Sequence, residues 1–226
     1  MGAAITVEGL RKAYGALVAV EDVSFEVGQG EIFGVLGPNG SGKTTTVECV
    51  QGLRHADGGR LRVLGLDPRS QRHELRRRIG SQLQESALPE RIKVWEALRL
   101  FASLTPGAVD WAELIERWGL QAKRDATFAS LSGGQRQRLF VALALVNRPE
   151  VVFLDEMTTG LDPAARRETW GLIEAIRDQG ATVVLVTHFM DEAERLCDRL
   201  AVVKDGRVLA IAALGVLLSV RLFRWE

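Results

Sequence analysis

An α/β fold is predicted for these 226 residues: a buried parallel sheet, preceded by antiparallel strands and interrupted by a helical insert. Three observations predict it. The first thirty residues alternate apolar and polar side chains, the period of half-buried strands. A fully apolar run, Ile32-Phe33-Gly34-Val35-Leu36, then feeds a glycine-rich loop and a helix, as strands covered on both faces do. Apolar runs of the same kind return late in the chain, beyond a stretch whose apolar residues recur at helical spacing.

The elements follow in order. Ile5-Thr6-Val7 and Val23-Ser24-Phe25-Glu26-Val27 read as antiparallel strands, and the buried strand Ile32–Leu36 runs into GPNGSGKTT and a helix ending at Gly52. From about Glu85 to Asn147 the pattern is helical, with WEALRLFASL and WAELIERWGL as its clearest amphipathic stretches. Val151–Leu154, Thr182–Val186 and Leu200–Val203 read as strands, with a long helix, Ala164–Asp178, after the first.

Composition narrows the function. Basic and acidic residues number 29 each, so the net charge is zero and no bulk attraction to nucleic acid or anionic membrane is expected. Arg76-Arg77-Arg78 reads as a solvated helix face. Cys49 and Cys197 stand alone, without metal-ligand spacing, and are expected as reduced thiols. MGAAITVEGL lacks the pattern of a signal peptide, and no apolar run reaches the ~20 residues of a membrane-spanning helix.

Gly37-Pro38-Asn39-Gly40-Ser41-Gly42-Lys43-Thr44 fits GxxxxGK[ST] between a predicted strand and a helix, the context this phosphate-binding pattern requires. Its glycines let backbone N–H groups curl round a phosphate. Lys43 would reach the β/γ-phosphates and the Thr44 hydroxyl would ligate Mg²⁺. Val151–Leu154 delivers Asp155 to the carboxyl end of a strand, where it can bind the magnesium through water. Glu156, one residue on, can polarise an attacking water as a general base. Leu131–Arg138, LSGGQRQR, reads as a second anion-holding helix start. Ser132 is suited to the N-cap, and Gly133 and Gly134 leave backbone N–H groups uncovered at the positive end of the helix dipole.

GPNGSGKTT, LSGGQRQR and VVFLDE together resemble the ATPase subunit of ATP-binding cassette (ABC) transporters, and the resemblance covers roughly Ile5 to Ala210. It implies a P-loop NTPase core with an antiparallel β subdomain and an inserted α-helical subdomain at about 85–147. It also implies that two subunits, expected as a homodimer, pair head to tail around two MgATP. Each nucleotide would lie between the phosphate loop of one chain, Gly37 to Thr45, and the signature residues Ser132, Gly133, Gly134 and Gln135 of the other. Further roles carry over by position. Tyr14, the only tyrosine in the chain, would stack on adenine. Val20 would touch the base or pack in the core. Gln84 would join the magnesium shell, with Gln82 as its competitor. Asp162 would couple the two sites or cap the helix that follows, and His188 would sense the γ-phosphate beside the catalytic glutamate. Met157, Thr159 and Ala56 depart from the family pattern without removing a catalytic group.

The local sequences IKVWEALRLF and HFMDEAERLCDRLAVVKDGRV resemble the branch serving small two-component exporters. The implied setting is peripheral, on the cytoplasmic face of the membrane beside a permease, with no nucleic-acid partner. The alternatives are a non-transport ABC ATPase and a non-hydrolysing nucleotide clamp. From 211 to 226 the apolar tail resembles the end of a permease, or else reads as a buried helix completing the core.

Overall fold

The computed structural model describes residues 2–82, 88–105 and 107–213. They form two compact units, one built from residues up to 75 together with those from 182 onward, the other from residues 76–181.

In the first unit, β1 (Ala3–Tyr14) and β2 (Leu17–Gly28) make an antiparallel hairpin, and Gly15 at its tip takes a left-handed φ of 61°. The alternation seen in the sequence places Ile5, Val7, Leu10, Val23, Phe25 and Val27 on the buried side. All five residues of β3 (Ile32–Leu36) are buried. The strand lies parallel to both β7 (Thr182–Thr187) and β8 (Arg199–Lys204), which explains its unbroken apolar character. With β4 (Gly58–Val63) and β9 (Arg207–Ala213), the strand order within this unit is β4-β1-β2-β9-β8-β3-β7. The helix after the phosphate loop, α1 (Lys43–Val50), ends two residues before the expected Gly52, which takes a left-handed φ of 71°.

The tail expected from 211 begins inside β9. Residues 208–213 do not start a buried helix; they belong to a strand paired antiparallel with β8, and Leu209 and Ile211 are exposed. The rest of the tail lies outside the described residues.

The second unit begins within α2 (Arg72–Arg78), whose arginine face is solvated as expected. It contains the parallel pair β5 (Ile79–Gln82) and β6 (Val151–Asp155), the latter entirely buried. The expected helical insert holds α3 (Val94–Ser103), α4 (Trp111–Arg117) and α5 (Gly133–Ala144), and α6 (Pro163–Asp178) follows β6. Gly80 shows how closely α5 meets β5: a Cβ there would stand 2.0 Å from the Ala144 carbonyl oxygen. Asn147 donates from Nδ2 to the Ile79 carbonyl at 2.8 Å, and Arg78 forms a two-point ion pair with Glu150. Both cysteines are buried thiols; burial pushes Cys49 up to about 11 and raises Cys197 as well.

Candidate functional site

The phosphate loop is shaped by backbone that comes too close for any side chain. A Cβ on Gly37 would stand 2.1 Å from the Val203 carbonyl oxygen. One on Gly42 would stand 2.4 Å from the Ala19 carbonyl, and Gly42 also has a φ of 96°. Gly40 takes a φ of 79° where there is open space, so it needs glycine for conformation alone. Gly42 occupies the N-cap of α1 without a side chain to cap the helix, which leaves the first N–H groups of α1 uncovered by any capping side chain. The hydroxyl of Ser41 is buried in the loop with no hydrogen-bond partner. Lys43 is buried and donates from Nζ to the Pro38 carbonyl at 3.0 Å, curling back over the loop. Thr44 and Thr45 are half-buried in the first turn, while Pro38, Asn39 and Gly40 are exposed at the rim. An uncapped helix start, an unsatisfied buried hydroxyl and a lysine bent over glycine backbone fit a bound polyphosphate with its divalent cation.

Gly206 is the contributor that motif reading missed. Its N–H donates to the Ser41 carbonyl at 3.0 Å, and its own carbonyl accepts from Glu21 N at 2.8 Å. It fastens the loop to the start of β2. Asp205 and Gly206 both have positive φ, 50° and 71°. The Asp-Gly pair between two strand-like runs was the available signal.

His188 lies just past the end of β7 and lines a cleft of about 300 Å³ with Gly37, Pro38, Asn39 and Met190. Its ring packs 4.1 Å from that of Phe189. The loop and this histidine are therefore brought together within the first unit. Val20 is fully buried, 3.4 Å through Cγ2 from where a Gly42 Cβ would stand. Tyr14 remains 40% exposed at the hairpin end.

In the second unit, β6 ends at the buried Asp155, and Glu156 follows half-buried with a φ of 49°. A left-handed glutamate costs about 1–2 kcal/mol. No sequence feature signals that conformation. Ser132 caps α5 as expected: its Oγ accepts from Gln135 N at 3.4 Å, and Gln135 Oε1 accepts from Ser132 N at 3.0 Å. Asp162 caps α6, accepting from Ala164 N at 2.9 Å and Ala165 N at 3.0 Å. These two N–H bonds hold its carboxyl below the usual range. Ser132, Gly133, Gly134, Gln135 and Asp162 all line a cleft of about 600 Å³ in this unit. Unlike Gly37 and Gly42, Gly133 and Gly134 have only side chains where a Cβ would stand, Leu161 Cδ2 at 3.3 Å and Ala165 Cβ at 3.9 Å. Gln84 lies outside the described residues; Gln82 is buried in β5.

Comparison with known proteins bears on the family and the fold. The family described as "ABC transporter" matches residues 20–159. The Nod factor export ATP-binding protein I of Ralstonia nicotianae is 43% identical over 211 residues, covering 91% of this chain and 66% of that protein. The daunorubicin/doxorubicin resistance ATP-binding protein DrrA of Streptomyces peucetius is 40% identical, covering 96% of this chain and 67% of its own length. The chain thus spans about two thirds of these relatives. Among solved structures, an ATP-binding subunit of an ABC transporter superposes with a TM-score of 0.82 at 29% identity, covering 96% of this chain and 93% of that one. The cbiO1 protein of Clostridium perfringens gives 0.86 at 27% identity, covering 98% and 92%. Phosphate loop, capped signature helix and family match converge: this chain belongs to the ABC transporter family as an ATP-binding cassette with a P-loop NTPase fold.

Proposed function

We propose that this cassette hydrolyses MgATP as one half of a head-to-tail dimer and so drives export through a separate membrane permease. The observation that carries the proposal is the start of α5. A Cβ on Gly134 would meet only the Ala165 methyl at 3.9 Å, and one on Gly133 would press on the Leu161 side chain at 3.3 Å, yet both glycines open onto a polar cleft beside a helix N-terminus. A γ-phosphate brought by a second subunit fits such a surface. Residues 1–210 would make the cassette.

Gly37 to Thr45 would cradle the β- and γ-phosphates, with Lys43 neutralising charge that grows during transfer. The residues that would hold magnesium are Thr44 and Asp155, with Gln84 as a third; the ion supplies positive charge to the phosphate oxygens. Glu156 would take the proton of the attacking water, and His188 would orient the γ-phosphate. Ser132 and the N–H of Gly134 would close on that phosphate from the partner, and Asp162 would link the two sites. Tyr14 would stack on the base. That one relative is a Nod factor export ATP-binding protein and another a daunorubicin/doxorubicin resistance ATP-binding protein supports the transport reading. No helix among the described residues is long and apolar enough to cross a membrane, which fits a peripheral subunit on the cytoplasmic face.

The test is MgATP turnover of the purified chain and of Glu156→Gln. The proposal expects the variant to lose about 10²- to 10⁴-fold in kcat while still binding ATP. A wild-type chain that binds ATP without turnover, alone and with its permease, would instead make it a nucleotide clamp.

A further inference from the structure

Tyr14 is 40% exposed at the end of a hairpin. Two cations of the first unit, Lys12 and Arg54, lie over its ring, each paired with a carboxylate, and none of these four residues belongs to a recognised nucleotide motif. We propose that Asp57, acting with Lys12, Arg54 and Glu48, is a positioning group that holds Tyr14 as the wall of the nucleobase site. The inference rests on the reading of Tyr14 as the base-stacking residue.

Asp57 reaches across 44 residues of sequence to accept the Ala13 N–H through Oδ2 at 2.7 Å, fixing the backbone next to Tyr14. Its other oxygen, Oδ1, accepts from Lys12 Nζ at 2.9 Å. Lys12 Nζ in turn lies 5.4 Å from the Tyr14 ring centroid, and the Arg54 guanidinium lies 5.5 Å from it. Both distances are within cation–π range. Arg54 is itself paired with Glu48, which stands on α1. The ring is therefore braced from its own strand and from the helix that the phosphate loop feeds.

The hairpin also sits against that loop. Lys12 faces Val20 across the β1–β2 pairing, and Val20 and Ala19 lie against Gly42. An exposed tyrosine left alone would sample several rotamers, and ordering it on binding would cost affinity. Bracing it beforehand removes that cost. The geometry thus predicts that Asp57 contributes to the base-dependent part of nucleotide affinity and leaves the phosphate-dependent part and the chemistry unchanged.

The experiment measures dissociation constants for ATP and for inorganic tripolyphosphate, which carries no base, together with kcat and KM for MgATP. The proteins are wild type, Asp57→Ala, Asp57→Asn and Tyr14→Ala. Asp57→Ala is expected to weaken ATP binding and raise KM by about tenfold, as Tyr14→Ala does, with tripolyphosphate affinity and kcat unchanged. Asp57→Asn, which keeps an acceptor for the Ala13 N–H, recovers part of the loss. If Tyr14→Ala weakens ATP binding and Asp57→Ala does not, the positioning role is overturned while the stacking role of Tyr14 stands. If neither variant weakens it, stacking by Tyr14 fails and the inference falls with it. If Asp57→Ala weakens ATP and tripolyphosphate alike, the residue merely supports the fold of the loop, and the proposal is overturned.

Discussion

Two helix starts in this molecule are rich in glycine, and they need it for different reasons. At the start of α1, glycine is demanded by the chain itself: carbonyl oxygens of Val203 and Ala19 stand where the Cβ atoms of Gly37 and Gly42 would be. At the start of α5, a Cβ on Gly134 would meet nothing closer than the Ala165 methyl at 3.9 Å. The helix there is already capped by Ser132 and Gln135. Folding does not require Gly134; under the proposed dimer its role is to leave room for the partner's γ-phosphate. One loop owes its glycines to its own backbone; the other, in the proposed dimer, meets a nucleotide that arrives.

That contrast can be broken by substitution. Gly42→Ala sets a methyl against a backbone carbonyl at a residue with left-handed φ, and should cost about 3 kcal/mol or more of stability, read from denaturant unfolding. Gly134→Ala should change stability by about 1 kcal/mol or less, yet lower MgATP turnover by about tenfold or more, because the methyl fills space a phosphate oxygen needs. Equal destabilisation by the two would erase the distinction.

Smaller effects sharpen it. Ser132→Ala removes the cap of α5 and should cost about 1 kcal/mol, a loss visible in the isolated chain without any nucleotide. Asp162 provides a pH test. Its folded carboxyl is held below the ordinary range by the Ala165 and Ala164 N–H groups. Its contribution is therefore present above the unfolded value of about 4, and is lost as pH falls through the lower folded value. The stability difference between wild type and Asp162→Ala should be constant near neutrality and shrink in acid, measured by unfolding at stepped pH.

Much of the site was legible because its signals are local. GPNGSGKTT after an apolar strand, Ser132 ahead of Gln135, and Asp162 ahead of Pro163 each announce a loop or cap within a few residues. What stayed hidden depends on distant or conformational facts. Nothing in Leu154-Asp155-Glu156 reveals that Glu156 turns left-handed. Asp57 sits in a polar loop and matters through a bond to Ala13, far away in sequence. Val20 reads in the sequence as lining the base or filling the core, and its complete burial is visible only in the fold. The start of the tail misled for another reason. Leu209 and Ile211 are apolar yet exposed, so β9 lacks the alternation that marks a half-buried strand.

The central claim, that the α5 start is made to receive a second subunit's nucleotide, is tested most directly by the solution mass of Glu156→Gln with and without MgATP. With binding retained and hydrolysis blocked, the account predicts a mass that doubles on adding MgATP and returns to the monomer value when Gly134→Ala is added. A protein that binds ATP and stays monomeric in the presence of MgATP would contradict it.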